Sequence, residues 1–225
     1  MKRLYIVVEG QTEQEFVNSV AAPYLNKKGI LDARPILIRT SRTGRGGMTK
    51  YKHLSDTVRL LLNSDRQDFI VTTFIDYFRL PDSMPGYDKC MEIPDETARI
   101  EALEASINDD IGDRRFFAYI QRHEFEALLF SSNAGFKYYF PDQCARQTAE
   151  IIASYTSPED INSSPEGAPS KRLLAIKPDY NKVLEGNVIA IEVGIETMLS
   201  KCPRFSKWFE KIITACQESP GGRCP

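Results

Sequence analysis

Short apolar runs alternate with amphipathic segments along the first 130 residues. The run at 4–8 is unbroken, as in a strand covered on both faces of a parallel sheet. The spacing of Thr12 and Glu15 resembles a capping box, which predicts a helix from there to about Lys28. Further strands are predicted at 34–40, 68–75 and 115–121, and further helices at 51–63, 95–110 and 124–130. This alternation predicts an α/β fold with a mostly parallel sheet flanked by helices.

The remainder of the chain has mainly helical patterning. Helices are predicted at 143–155, 188–200 and 205–217, with a segment rich in Ser, Pro, Asn and Glu at 156–170. Residues 1–130 are therefore expected to form the α/β core, and residues 131–225 a C-terminal helical extension packed on it. A single domain is the other possibility, because no clear linker separates the two parts.

Composition limits the function classes. The 225 residues are 42% hydrophobic and 27% charged, enough for a full core. Twenty-nine basic and 31 acidic residues leave a net charge of −2, so any contact with nucleic acid must come from a local patch. The five cysteines include no C-x-x-C pair, and no apolar run approaches the roughly 20 residues of a membrane helix. A reducing cytoplasm is the expected location.

Acidic residues follow three of the predicted strands. Glu9 closes the first, Asp76 closes the third, and a His-Glu-Phe-Glu cluster at 123–126 follows the fourth. The carboxyl ends of parallel strands meet at one edge, so these acids are expected to form one negative site. Such a site suits Mg²⁺ or Mn²⁺. Taken one at a time, each acid is better explained as a turn residue or a helix cap, and only the three together favour a site.

The cluster at 123–126 allows several arrangements. His123 and Glu126 share a face on a helical turn, whereas Glu124 and Glu126 share a face only if the strand continues. His123 is a candidate metal ligand, a candidate general acid or base, or a clamp that orients Glu126. The pattern alone does not decide among them.

Two groups of basic residues could contact phosphates. One surrounds the glycines at 44, 46 and 47; the other lies near Tyr180. Each group is also typical of a solvated surface, so it indicates phosphate binding only if the acidic site is present. The groups are Arg39, Arg42, Arg45, Lys50 and Lys52, and Lys171, Arg172, Lys177 and Lys182.

Two segments carry a family resemblance. Residues 8–13 (VEGQTE) and 72–77 (TTFIDY) resemble the Toprim fold of topoisomerases, bacterial primases and overcoming-lysogenization-defect nucleases. More closely, the whole chain resembles the Toprim-like DUF4276 family. The segments that carry this resemblance are 8–13, 75–81, 85–86, 123–130, 161–162, 168–172, 202–203 and Trp208.

The resemblance implies a site and a setting. It implies that Glu9, Asp76 and Glu126 bind Mg²⁺ for phosphoryl transfer, and that the protein works beside an ATPase in defence against phage. Many Toprim domains carry Asp-x-Asp after the later strand, whereas this chain has Asp76-Tyr77-Phe78. Asp82, Glu124 or Glu126 could replace the missing acid. Otherwise the site holds one weakly bound ion or has lost catalysis.

The residues and the family resemblance leave two candidate functions. The first is a Mg²⁺-dependent nuclease acting on DNA or RNA. In it, His123 or Glu124 moves protons, and basic side chains neutralise phosphate charge; these are Arg42, Arg45, Lys171, Arg172 and Lys182. The second is an inactive Toprim-like module that binds nucleotide, nucleic acid or a partner ATPase. The chain is too short for a topoisomerase, and it has neither G-x-G-x-x-G nor the P-loop pattern.

Overall fold

The computed structural model describes residues 2–39, 47–64, 68–161 and 167–218. Its sheet has the order β2-β1-β3-β4, with β5 also paired to β3, and all of these pairings are parallel. The strands are β1 (Arg3–Val8), β2 (Ala33–Leu37), β3 (Phe69–Asp76), β4 (Phe116–Phe117) and β5 (Ile120–Gln121).

Helices flank the sheet and make up the C-terminal part. Those of the first 130 residues are α1 (Gln11–Phe16), α2 (Ala22–Lys27), α3 (Tyr51–Leu62), α4 (Tyr87–Met91), α5 (Glu96–Ile111) and α6 (Glu126–Leu129). Those that follow are α7 (Ala134–Tyr139), α8 (Asp142–Ala153), α9 (Pro169–Ile176), α10 (Leu184–Val193), α11 (Ile195–Lys201) and α12 (Pro203–Gln217). The predicted α/β class, with its mostly parallel sheet, flanking helices and C-terminal helical extension, is confirmed.

Both faces of the sheet are buried, as the unbroken apolar strands predict. Leu4, Ile6 and Val8 pack into one hydrophobic cluster, and the intervening Tyr5 and Val7 pack into a second. The first cluster combines the N-terminal helices with α6, α7 and α10–α12, and the second combines α3 and α5. The alternation of side chains along β1 therefore assigns the C-terminal helices to one face.

Pro23 explains why the N-terminal helix is interrupted by a π-helical turn. α1 and α2 are joined by a π-helical turn, Val17–Ala21. Pro23 lies at the start of α2 and has no N–H to donate to the preceding turn. The wider π turn accommodates that lost hydrogen bond, so the helical direction continues to Lys27.

Three boundaries differ from the predictions. The fourth strand is split because the Ala118 and Tyr119 amides donate to the Asn108 and Thr73 side chains, each at 2.7 Å. Residues 77–94, for which no helix or strand was predicted, contain α4. The predicted helix at 188–200 begins at Leu184 and divides at Gly194, where φ is 78°. α7 and α9 were not predicted, because both are short.

No helix among the described residues is long and apolar enough to cross a membrane. Cys90, Cys144, Cys202 and Cys216 are free thiols.

Gly135 permits the close contact between α7 and α10. A Cβ at this position would lie 2.5 Å from the Ile189 carbonyl oxygen, which is backbone and cannot move aside easily. We expect Gly135→Ala to lower the free energy of unfolding by about 1–3 kcal/mol. Tyr138→Ala, on the exposed side of the same helix, is the control and should change it by about 0.5 kcal/mol or less. Urea denaturation measures both; equal stability of the two variants would contradict this packing.

Candidate acidic site at the carboxyl edge of the sheet

The ends of β1 and β3 bring Glu9 and Asp76 to the same edge. Val8 pairs with Phe74 in the parallel register, so Glu9 follows β1 at the level where β3 approaches its end. The Asp76 Oδ1 atom accepts a hydrogen bond from the Phe125 amide at 2.9 Å, which ties the segment after β5 to the end of β3. The Glu9 Oε1 atom accepts one from the Met48 amide at 3.2 Å.

The Lys182 ammonium lies among three carboxylates. Its Nζ atom is 3.2 Å from Glu126 Oε2, and 3.7 Å from both Asp76 Oδ2 and Glu13 Oε1. Lys182 precedes α10, so the helical extension supplies the cation for acids that the sheet edge presents. The two parts of the chain therefore meet in one electrostatic cluster, which we call the acidic site: Glu9, Glu13, Asp76, Glu126 and Lys182.

Glu13 is held in the acidic site by the start of α1. Its Oε2 atom accepts a hydrogen bond from the Gly10 amide at 2.8 Å, leaving Oε1 directed at Lys182. The predicted capping pair of Thr12 and Glu15 is wrong, because the helix begins at Gln11 and Glu13 takes the capping role. A Cβ on Gly10 would lie 3.0 Å from Glu13 Oε2, so a larger residue there would crowd this carboxylate.

Burial raises the pKa of Glu9, Asp76 and Glu126. For Glu126, which is fully buried, burial raises the pKa to about 7 although Lys182 lowers it. Burial also raises the pKa of Asp76 well above its usual value; Lys182 opposes this rise, while Glu13 and Glu126 add to it. The pKa of Glu9 is raised by burial, against the hydrogen bond from Met48. Burial lowers the pKa of Lys182, but the charges of Asp76 and Glu126 outweigh burial and raise this pKa above its ordinary value. The ammonium therefore remains charged.

Several buried polar atoms beside Lys182 have no hydrogen-bond partner among the described residues. They are Glu126 Oε1, the Tyr180 hydroxyl and Asn187 Oδ1, whereas Glu126 Oε2 lies 3.2 Å from the Lys182 ammonium. Tyr180 is close to Glu126, because after burial the charge of Glu126 is the next largest cause that raises the Tyr180 pKa. Gly186 makes room for this hydroxyl, since a Cβ there would lie 2.8 Å from it. Unpartnered polar atoms at this density are typical of a site that binds water or a ligand.

The acidic site offers oxygen ligands to a divalent cation. Carboxylate oxygens are the donors that Mg²⁺ and Mn²⁺ prefer, and Glu126 Oε1 has no hydrogen-bond partner among the described residues. Among the described residues, however, no three His, Cys, Asp or Glu side chains form a group that could hold a metal ion. The Lys182 ammonium takes the central position instead. The donor chemistry fits a divalent cation, and its binding would require a small rearrangement around Lys182.

His123 and Glu124 make their hydrogen bonds outside the acidic site, although Glu124 is near enough for its charge to act on Glu126 and Lys182. His123 adopts a left-handed conformation, with φ of 66°, and its Nε2 atom lies 3.0 Å from the Glu159 carbonyl oxygen. Glu124 accepts hydrogen bonds from the Ser170 amide and hydroxyl, each at 3.0 Å, at the start of α9. The helical face predicted for His123 and Glu126 does not form, because α6 begins only at Glu126.

The other predicted site residues lie in different surroundings. Asp82 and Lys171 are exposed. Arg172 donates to the Tyr155 hydroxyl at 2.8 Å and to the Gly167 carbonyl at 2.7 Å, so its guanidinium is already engaged. Arg42 and Arg45 lie outside the described residues.

Remaining members of the two basic groups also differ in their environment. Arg39 and Lys50 are exposed, and Lys52 pairs with Asp56 at 2.9 Å. Lys177 pairs with Glu185 at 2.9 Å and Asp179 at 3.0 Å. The structure therefore places Lys182 with the acids and distributes the other basic residues around them.

Sequence reasoning missed Glu13 as a member of the site. Its signal was the spacing of four residues after Glu9, which places both acids beside the same strand-to-helix turn. The nearby helix-start pattern drew attention to Thr12 and Glu15 instead.

These features define an α/β protein with a parallel sheet and an acidic site at its carboxyl edge. The model of the DUF4276 family, described as a domain of unknown function, matches residues 8–213, and the chain belongs to that family. The predicted membership is thereby confirmed. No curated protein matches the chain.

Two solved structures resemble the chain at low sequence identity. The C-terminal region of the Xanthomonas campestris pv. campestris OLD protein is 15% identical, with a TM-score of 0.49 over 96% of this chain and 94% of that one. The C-terminal region of the Burkholderia pseudomallei OLD protein is 14% identical, with a TM-score of 0.49 over 95% and 99%.

The raised pKa of Glu126 predicts a specific pH dependence. Its folded-state value of about 7 exceeds the ordinary 4.5, so its contribution to stability is present below pH 4.5 and is lost as the pH rises through 7. Glu126→Gln has no carboxyl group to ionise and does not lose this stability. Between pH 4.5 and 8, the difference in free energy of unfolding between this variant and the wild type should therefore change in favour of the variant, by on the order of 3 kcal/mol.

Chemical denaturation in EDTA across this pH range measures the difference. Glu150→Gln, which changes an exposed acid on α8, is the control and should follow the wild type throughout. Parallel curves for Glu126→Gln and the wild type would contradict the burial of an ionisable Glu126.

Proposed function

We propose that the protein is a divalent-metal-dependent nuclease that hydrolyses phosphodiester bonds of DNA or RNA. The observation that carries this proposal is the convergence of Glu9, Glu13, Asp76 and Glu126 on one edge of a parallel sheet, around Lys182. Four acids and one lysine leave an excess of negative charge, which a divalent cation would neutralise. The resemblance to Toprim nucleases in the segments at 8–13 and 72–77 supports the same chemistry.

The carboxylates would have separate roles in this reaction. Glu9, Asp76 and Glu126 would hold Mg²⁺ or Mn²⁺, with Glu13 beside them. Asp82 is exposed and would join them only after a movement of its loop. A bound ion of this kind polarises a phosphodiester and lowers the pKa of an attacking water.

The two residues predicted to move protons, Glu124 and His123, are both engaged in contacts that position other groups. Glu124 fixes the start of α9 through Ser170, and would position Lys171 on the first turn of that helix. His123 lies on the side facing Glu96 and Glu159 and would orient the segment that precedes Glu126.

Lys182 would neutralise phosphate charge. Its ammonium is already at the acidic site, and its side chain retains 37% exposure, so a phosphate can approach it from solvent. The exposed Arg39, Lys50 and Lys171 would contact the phosphates that flank the bond to be cut. As the resemblance implies, we further propose that the protein acts in defence against phage with an ATPase partner.

A second candidate is a module that binds a nucleotide, nucleic acid or partner ATPase without cleaving. One observation favours it: Lys182 takes the central position, and no three-residue metal group forms among the described residues. The missing second acid after Asp76 points the same way.

Cleavage assays separate the two functions. Single-stranded and duplex DNA and RNA are incubated with the protein in Mg²⁺, Mn²⁺ or EDTA. We expect cutting that requires the metal and that falls by at least about 100-fold in Glu9→Gln and in Asp76→Asn, because each loses a ligand. Glu15→Gln, an exposed acid on the same helix as Glu13, is the control and should cut normally.

Retained cleavage in Glu9→Gln would contradict the assignment of the acidic site. A wild type that binds nucleic acid but cuts none of these substrates, with either metal, would favour the binding module.

A further inference from the structure

A cavity of about 270 Å³ lies directly beyond the end of β3. Aromatic and charged side chains line it, among them Tyr77, Phe78, Arg79, Tyr87, Glu96 and His123. Tyr77 is the residue after Asp76, so the cavity begins one residue, or about 3.8 Å of backbone, from the acidic site. None of the nuclease chemistry proposed above uses this cavity directly.

Backbone strain is concentrated at this cavity. Among the described residues, Arg79 and His123 are the two non-glycine positions with positive φ, both at 66°, and both line it. Each such conformation costs about 1–3 kcal/mol and persists only where the surroundings enforce it. The Phe78 amide donates to the His123 carbonyl at 2.9 Å, which holds the two strained segments together. The fold thus maintains this cavity at a cost to stability.

The aromatic wall is fixed before any ligand arrives. Arg99 donates to the Tyr77 hydroxyl at 3.3 Å and to the Ile93 carbonyl at 2.9 Å, which restrains the Tyr77 ring. The Arg79 guanidinium lies 5.1 Å from the centre of the Phe78 ring. Rings and guanidinium groups held in this way are the surfaces on which unpaired bases stack.

Two polar groups of the cavity, on His123 and Glu96, can accept hydrogen bonds. The Nε2–H of His123 donates to the Glu159 carbonyl, so in the neutral ring Nδ1 is an acceptor. Burial lowers the His123 pKa, which favours the neutral form. Glu96 Oε1 lies 3.6 Å from this Nδ1 and also accepts from Arg122 at 2.9 Å. Two acceptors side by side select a ligand edge that donates, such as an exocyclic amine.

We propose that this cavity binds an unpaired nucleobase that carries an exocyclic amine, from the strand whose phosphate lies at the acidic site. The base would stack on Phe78 and Tyr87 and direct its amine toward Glu96, and Arg79 would contact the adjoining phosphate. This inference rests on the proposed function and specifies its substrate as single-stranded or looped nucleic acid.

The test uses a 12-nucleotide single-stranded DNA that contains 2-aminopurine, whose fluorescence falls when it stacks. Binding is measured in EDTA, so that no strand is cut. We expect quenching on addition of the wild-type protein and of the control variant Glu15→Gln, which changes an exposed acid on α1. In Phe78→Ala and Arg79→Gly the affinity should fall by about 5- to 100-fold. Glycine accepts the φ of residue 79 without strain, so Arg79→Gly provides a variant that keeps the fold.

Two controls match these variants. Tyr138→Ala removes an exposed ring from α7, and Arg146→Gln removes an exposed guanidinium from α8; both should bind as the wild type does. Unlabelled dA12 and dC12 should compete with the probe, and dT12 and duplex DNA should compete poorly.

Unchanged affinity in both Phe78→Ala and Arg79→Gly, or competition by dT12 equal to that by dA12, would overturn the inference. Because the assay needs no cleavage, its failure leaves the nuclease proposal standing. Conversely, quenching by a protein that never cuts would remove that proposal while keeping the base-binding cavity.

Discussion

The candidate site depends on the interaction between the Lys182 ammonium and the carboxylates of Glu13, Asp76 and Glu126. Several buried acids at one sheet edge repel one another, and each loses hydration on folding. Lys182 offsets part of this cost from the opposite side, because it belongs to the helical extension. Burial, with the remaining excess of negative charge, explains the raised pKa values of Asp76 and Glu126. The same excess would favour the further cation that the proposed function requires.

Much of this arrangement could be predicted from local patterns. The apolar runs of β1 and β3 end at Glu9 and Asp76, and parallel pairing necessarily brings such ends together. The fold class, with its mostly parallel sheet, and the helical nature of the last third follow from periodicity and family resemblance, whereas the strand order was not predicted. These patterns predict an acidic edge of the sheet and the two acids that follow its central strands.

The rest depends on tertiary contacts that leave no periodic signal. Lys182 is more than 100 residues from Asp76 along the chain, and only the packing of the C-terminal helices against β1 brings them together. The left-handed backbone of His123 turns that side chain away from Glu126, although their spacing suits a shared helical face. Glu13 was not predicted, because the spacing of Thr12 and Glu15 also matched a helix start. The direction of a side chain outside regular helices and strands therefore cannot be predicted from residue spacing alone.

The central claim is that the acidic site binds a divalent cation through Glu9 and Asp76. Calorimetric titration of the metal-free protein with Mn²⁺, and then with Mg²⁺, tests it most directly. The wild type and the Glu9→Gln/Asp76→Asn double variant are compared after circular dichroism has shown that both are folded. We predict saturable binding by the wild type that the double variant lacks. No binding by the folded wild type, or equal binding by the double variant, would contradict the account.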